Sequence, residues 1–348
     1  MNIIKNNHHH ISILDDLRGI AILSVVIYHY FYVFYRKIDS NNIFIQNFNT
    51  FNDFLNFGAF GVSLFFIVSG FVIPMSLQGE NRRQVVVNFF VKRFFRLYPT
   101  YWFAIIMIVS IVFLFKDTNA FSLTQVMINF TMMQDILKAQ SIDGVFWTLM
   151  IEIKFYVLSA ILFYIGILKK INLIILFFLL LSITSLYLGY MDGNRGFGNS
   201  ILSYLMLMYL GTSFYFYYIK EIEKNTLIYL IFVVVIYYFS NQFFLFDNGY
   251  GARSGYSLAT ILSILIFTIA IQSKKPLSKF TSFFGNISYS FYLLHQVIGY
   301  LLISQFLNRD IPSPYAQILT IFIMAIVSLI VFQYIEMPTN RYGHKYVK

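Results

Sequence analysis

Arg18 and His29 stand eleven residues apart in LDDLRGIAILSVVIYHY, residues 14–30, a stretch apolar enough for a membrane helix. At about 100° per residue, eleven residues bring the chain back to within roughly 20° of the same face. The two side chains therefore share one stripe, about 16 Å apart along the axis. An imidazole takes and returns a proton near neutral pH, and a guanidinium fork matches the oxygens of an anion. The pair thus reads as a base held at a fixed distance from an anion-binding group. Two blander readings compete: Arg18 as an anchor snorkelling to the headgroups, and His29 as a core histidine bonded to a neighbouring helix. His295 shifts the balance, because it lies about eleven residues into a later apolar run and reaches the same depth of roughly 16 Å. Two imidazoles at one level suit a proton-handling site or a small polar cavity.

Two further segments carry chemistry. NRRQVVVNFFVKRFFRLYPTYW (81–102) holds five cations between 82 and 96. An interfacial helix pairing them with anionic lipid is one reading. Arg93 and Arg96, however, are spaced i, i+3, and paired guanidinium forks suit phosphate, so a phosphate-rich ligand is expected beside Pro99. VFWTLMIEIKFY (145–156) carries Glu152 and Lys154 about 10 Å into its run. Two residues apart, they point to different sides, and each must find its partner elsewhere. The His8-His9-His10 triplet reads as part of a loose tail, and no metal site is expected, since three neighbouring His cannot close a coordination shell.

The elements that must position these residues follow from composition. Of 348 residues, 58% are hydrophobic and 11% charged, against a usual charged share of about 25%. The chain is therefore expected to be all-α, a polytopic membrane bundle. Apolar runs long enough to span about 30 Å of hydrocarbon lie near 17–35, 60–77, 99–115, 145–167, 171–190, 200–219, 226–244, 257–272, 284–306 and 315–335. That predicts about ten transmembrane helices, a polar N-terminal tail over 1–16, and a basic cytoplasmic loop over 79–98. All six prolines fall at or near run ends, as helices require. No internal repeat or linker divides the chain, so one domain over 1–348 is expected. With no cysteine there is no disulfide and no thiol nucleophile. The net charge of +10 points to topology and not to nucleic acid: with the N-terminus inside, 17 of the 25 Lys and Arg fall on inner segments and seven on outer loops.

Taken together, these stretches resemble the membrane acyltransferase-3 family over almost the whole chain. LDDLRGIAILSVVIYH resembles its first-helix motif, and GVSLFFIVSGFVI (61–73) its second. RFFRLYP (93–99) is similar to its Arg-x-x-Arg-x-x-Pro segment, and WTLMIEIKFY (147–156) to its Trp-Ser/Thr-Leu-x-x-Glu helix. ISYSFYLLH (287–295) resembles its Ser-Tyr-x-x-Tyr-Leu-x-His helix, and YIEMP (334–338) its Glu-x-Pro terminus. Departures are Asp16 where Gly is usual, Ser63 where Asp often occurs, and Ile153 where a second Glu is common, which leaves Glu152 to act alone.

The resemblance implies transfer of an acyl group, most often acetyl, from cytoplasmic acyl-CoA to a hydroxyl, often of an envelope polysaccharide such as O-antigen, capsule or exopolysaccharide. Some members add a hydrolase-like domain, and none is expected after residue 335. The expected partners are acetyl-CoA as donor, an envelope glycan or lipid-linked sugar as acceptor, and the lipids of the cell (inner) membrane. The expected catalytic set is His29 as base, with Glu152 and His295. Arg18, oriented by Asp15, would hold the donor's phosphates with Arg93 and Arg96. Trp147, Tyr289 and Tyr292 would meet substrate, His295 or Tyr292 also serving as oxyanion donor. The rival class is a transporter of an anionic or lipid-linked glycan, which the missing inverted repeat disfavours. The charge count predicts that both termini are cytoplasmic: a reporter fused after Lys348 should be active only inside the cell, and activity confined to the outside overturns the topology.

Overall fold

The computed structural model describes residues 11–35, 43–115, 120–191, 198–245, 252–273 and 276–347. The His8–His10 triplet and several of the counted cations (Arg36, Lys37, Lys116, Arg195) lie outside them. Among the described residues there is no strand. The helices are α1 (Ser12–Tyr28), α2 (Ile43–Phe54), α3 (Phe57–Val72), α4 (Arg82–Phe115), α5 (Leu123–Phe130), α6 (Trp147–Tyr164) and α7 (Ile171–Met191). They continue with α8 (Gly198–Tyr218), α9 (Lys224–Leu245), α10 (Ala252–Ser273), α11 (Lys279–Asn286), α12 (Ser288–Leu307), α13 (Tyr315–Val331) and α14 (Met337–Tyr346). All ten apolar runs are helical, as a hydrocarbon environment demands, because only internal hydrogen bonds satisfy the backbone there. Seven stretches among the described residues are long and apolar enough to cross a membrane, and parts of α7 and α9 form shorter apolar helices. The chain is a multi-pass membrane protein.

Three expectations need correction. The segment 79–98 is not a loop: residues 82–98 form the first half of α4, a single helix of 34 residues that contains Pro99. A proline removes one donor, that of its own N–H, and membrane helices tolerate the freed carbonyl where neighbouring groups re-satisfy it. The polar tail ends sooner than residue 16, since α1 begins at Ser12. The run at 284–306 is two helices: α11 ends at Asn286, and Ile287 separates it from α12.

α1 is the central wall. It lies between α11 and α3, and α3 in turn packs on α8 and α10. These contacts are backbone against backbone. A Cβ on Gly19 would fall 1.9 Å from the Thr281 carbonyl, and one on Gly285 would fall 1.9 Å from that of Asp15. The α3–α8 seam repeats the device, with Gly70 against Met208 and Gly211 against Ile67. Small residues allow such approach, which gives membrane helices the packing that hydrophobic burial cannot supply in lipid. Asp16, one of the three departures from the resembled pattern, completes the α1–α11 seam. Its carboxylate accepts from Leu277 N–H (2.9 Å), Thr281 Oγ1 (2.6 Å) and Ser282 Oγ (2.7 Å). Both π-helical segments in the chain's described part interrupt site-bearing helices: His29–Val33 prolongs α1, and Phe332–Glu336 joins α13 to α14.

Candidate functional site

Five of the side chains singled out in the sequence line one cavity inside the bundle. They are Arg18 of α1, Arg96 of α4, Glu152 of α6, and Tyr289 and Tyr292 of α12. α3 contributes Phe65, Phe66 and Ser69 to the same lining. Asp15 bonds Arg18 as its spacing implied, with Nη1 3.3 Å from Oδ1. Arg96 has no ion pair and no hydrogen bond among the described residues, so its fork is open to a ligand. Glu152 accepts from Ser69 Oγ at 3.2 Å and from the Tyr156 hydroxyl one turn on. Tyr289 is locked by donation to the Leu97 carbonyl at 2.9 Å, and its neighbour Ser290 donates to Glu336 Oε2 at 2.5 Å.

Arg93 does not share the cavity with Arg96. It is buried, with its guanidinium carbon 5.4 Å from the ring centres of both Phe89 and Tyr156, and Nη2 donates to Ser76 Oγ at 3.1 Å. The i, i+3 spacing put both arginines near one face, but the rings of Phe89 and Tyr156 cover the first. Trp147 and Glu152 also part company. Trp147 is 43% exposed and lies in a second pocket with Lys154, whose Nζ pairs with Asp135 Oδ2 at 3.3 Å. That ion pair answers where the helical lysine finds its partner.

The two imidazoles meet directly. His29 Nδ1 lies 2.9 Å from His295 Nε2, and His295 Nδ1 lies 2.8 Å from the Tyr292 carbonyl. A carbonyl only accepts, so His295 Nδ1 carries its hydrogen, and in the neutral ring Nε2 is then an acceptor. His29 Nδ1 must donate to it, which assigns the free lone pair to His29 Nε2. The tautomer is thus set by one backbone carbonyl through two rings, the kind of outer contact that decides which imidazole nitrogen is basic. The Tyr30 hydroxyl donates to the His295 carbonyl at 2.8 Å and fixes the same turn. The pair stands behind Tyr292, whose ring centre is 5.6 Å from that of His295 and which itself lines the cavity. The Tyr292 hydroxyl donates to the Val145 carbonyl at 3.1 Å and touches Thr148 Oγ1 at 2.8 Å. It is therefore engaged, and less suited to serve as an oxyanion donor than its position in the sequence implied.

A family described as "Acyltransferase domain" matches residues 11–337. Among curated proteins the chain is 24% identical to the O-acetyltransferase OatA of Staphylococcus aureus strain NCTC 8325 / PS 47, over 95% of this chain and 57% of that protein. The counterparts in strains COL and MRSA252 give the same values. The chain therefore spans little more than half the length of these relatives. No solved structure matches it.

Ser69, Thr148, Tyr156 and Glu336 were legible only as members of motifs, but Asp143 carried no signal at all. It is 1% exposed, and its oxygens accept from Val145 N–H (3.1 Å), opening the turn into α6, and from Val297 N–H (3.3 Å), two residues beyond His295. This one carboxylate clips the start of α6 to the turn of α12 that holds the His pair. Burial pushes its pKa up to about 7, against the pull of the backbone donors from Val145 and Val297. A carboxyl with a folded pKa above its ordinary value of about 3.9 lends stability that is complete below that value and lost as pH rises through about 7. Asp143→Asn cannot ionise. The melting temperature of the parent, measured relative to this variant in detergent, should fall steadily from about pH 5 to about pH 8. A difference independent of pH shows that ionisation of Asp143 does not differ between folded and unfolded protein.

Proposed function

The chain belongs to the acyltransferase domain family, and from that premise we propose that it moves an acyl group, acetyl by preference, from cytoplasmic acyl-CoA to a hydroxyl of a cell-envelope polysaccharide such as O-antigen, capsule or exopolysaccharide. The observation that carries the reading is Arg96, a guanidinium with no ion pair or hydrogen bond among the described residues, in a cavity also lined by Tyr292, whose ring packs on His295. The Arg96 charge acts on the buried Glu336 carboxylate, but no carboxylate closes on it among the described residues, and an ionisable group inside a membrane bundle is costly and by default functional. Arg18, already half-neutralised by Asp15, gives a second positive fork in the same space. Such a cavity suits the phosphates of the donor, with its acyl arm extending toward α12. The name of the relatives, O-acetyltransferase, supports oxygen as the acceptor atom.

In this reading, His29 Nε2 takes the proton of the acceptor hydroxyl as its oxygen attacks the thioester carbonyl, a contribution of about 10²–10⁴-fold. The carbon–sulfur bond breaks, and the proton passes from Nε2 to the departing thiolate, so the enzyme returns to its starting state. While His29 is cationic, its Nδ1–H bonds to neutral His295, which makes that contact charge-assisted and stronger. His295 is accordingly a positioning residue: it holds the tautomer and shares the transient charge. Glu152, held by Ser69 and Tyr156, accepts a hydroxyl of the incoming acceptor. We also infer ten crossings with both termini on the donor side, in the cytoplasmic membrane.

The test is acetyl transfer by purified protein. His29→Gln should lose about 10²-fold or more in turnover with acetyl-CoA binding intact. His295→Gln, whose side-chain oxygen still accepts from His29 Nδ1, should retain more activity than His295→Leu. Near-parental turnover in His29→Gln sinks the mechanism. Arg96→Ala should raise KM for acetyl-CoA tenfold or more, roughly the worth of a charge-assisted bond, and should weaken its salt dependence. Arg93→Ala should instead lower the melting temperature with little change in KM. If Arg96→Ala binds acetyl-CoA like the parent, the cavity does not hold the donor.

A further inference from the structure

α6 is a partition. Thr148, Leu149 and Glu152 face the cavity already described, whereas Trp147, Met150, Ile151 and Lys154 line a second pocket. At about 100° per residue these two sets lie on nearly opposite faces of the helix. The second pocket sits at the end of the bundle that carries residues 120–146, and the segment 134–141 and Ile201 close it. Two turns, one in that segment and one just before it, hold non-glycine residues in the left-handed region, Lys138 at φ 53° and Met132 at φ 60°. Such conformations persist only where surrounding contacts impose them.

The lining is chemically specific. Trp147 offers an indole face that is 43% exposed and is braced from behind by Tyr204, ring centres 5.3 Å apart. Beside it stand an ammonium and a carboxylate, Lys154 and Asp135, held 3.3 Å apart. Gln134 is 4% exposed, and its side-chain amide is engaged by the Tyr101 hydroxyl. Ser141 adds a hydroxyl to the same lining. A flat apolar face beside a paired donor and acceptor and a hydroxyl matches a ring with an apolar face and several equatorial hydroxyls. It does not match a free anion, because Asp135 already neutralises Lys154. Trp147 and Tyr204 also link the two spaces: Tyr204 packs on Phe66, 4.9 Å between ring centres, and Phe66 lines the first cavity.

We propose that this second pocket binds a sugar ring of the acceptor chain, adjacent to the sugar whose hydroxyl is acylated across α6. The assignment rests on the reading of the protein as a glycan acyltransferase. It makes the preferred acceptor an oligosaccharide: one ring is held against Trp147 while its neighbour reaches over the start of α6 toward Thr148 and Tyr292.

The experiment uses the full chain in phosphatidylcholine nanodiscs, titrated with tetraacetylchitotetraose and with maltotetraose while tryptophan emission is recorded. The chain has two tryptophans, Trp102 and Trp147. A saturable change is expected with at least one tetrasaccharide, and Trp147→Phe should abolish it. Lys154→Met should weaken the midpoint about tenfold, with Lys154→Arg restoring most of the loss. No saturable change in the parent, or an unchanged midpoint in Lys154→Met, overturns the proposal. So does a response that follows phosphatidylethanolamine added to the nanodisc and not the sugar, which assigns the pocket to a zwitterionic headgroup. Hydrolysis of acetyl-CoA by the same preparation separates the two readings. Sugar binding without acetyl-CoA turnover removes the acyltransferase reading and leaves the pocket, whereas turnover without sugar binding removes the pocket alone.

Discussion

One hydrogen bond 2.9 Å long joins imidazoles 266 residues apart, and the rest of the structure is arranged so that it can form. Neither ring can choose its tautomer independently. The Tyr292 carbonyl takes the Nδ1 hydrogen of His295, and from that single acceptor the protonation of both rings follows. Shift α12 by one residue and the carbonyl, the ring and the Val145 contact of Tyr292 would all move by about 100°. Asp143, Tyr30 and Thr148 prevent this, each bonding the turn of α12 around His295 from a different element. The π segment that starts at His29 acts from the other side, because a widened turn re-aims the side chains after it.

Holding two helices this closely in lipid requires packing that does not rely on hydrophobic burial, since the solvent is itself apolar. The glycine seams meet this requirement. Gly19 and Gly285 let α1 and α11 touch through their backbones, and Gly61 brings α3 onto α1 at Ala21 and Val25. α1 is thereby fixed on both sides along the stretch between Arg18 and His29. The separation of about 16 Å between these two residues is then a property of one rigid element. Arg18 at one end and His29 at the other keep their distance whatever the peripheral helices do.

Much of this was legible because it follows from periodicity and solvation. Ten apolar runs had to be helices, and Arg18 with Asp15 had to form an i, i+3 pair on the first of them. That His29 and His295 share a level followed from counting equal numbers of residues from the same side. What could not be read was azimuth: the direction in which a side chain points once its helix is packed. Arg93 and Arg96 differ by one turn and by whether Phe89 and Tyr156 stand in front of them. Trp147 and Glu152 lie on one helix, but the partition they form appears only when the neighbours of α6 are known. Pro99 misled for a related reason, because a proline at a run's edge terminates a helix in water but is carried within one in this bundle. Asp143 belongs to no apolar run and no motif, and its role arises wholly from tertiary contact.

Among the described residues the charges inside the bundle are only partly closed into pairs. Arg18 has Asp15, Lys154 has Asp135, and Arg93 is shielded by two aromatic faces. Arg96 has no such contact among the described residues, although its charge acts on the buried Glu336 carboxylate. Glu152 lines the same cavity, but no cation pairs with it within 4 Å among the described residues, and hydroxyls of Ser69 and Tyr156 occupy it instead. Had Arg96 and Glu152 closed on each other, the pair would be cheaper to bury, yet it would offer nothing to an anion. Keeping them apart costs stability and leaves the Arg96 fork without a closed partner while Glu152 rests on two hydroxyls. In the proposed function, the phosphates of an acyl donor would engage Arg96, and a hydroxyl of the acceptor would replace one of those that Glu152 now holds.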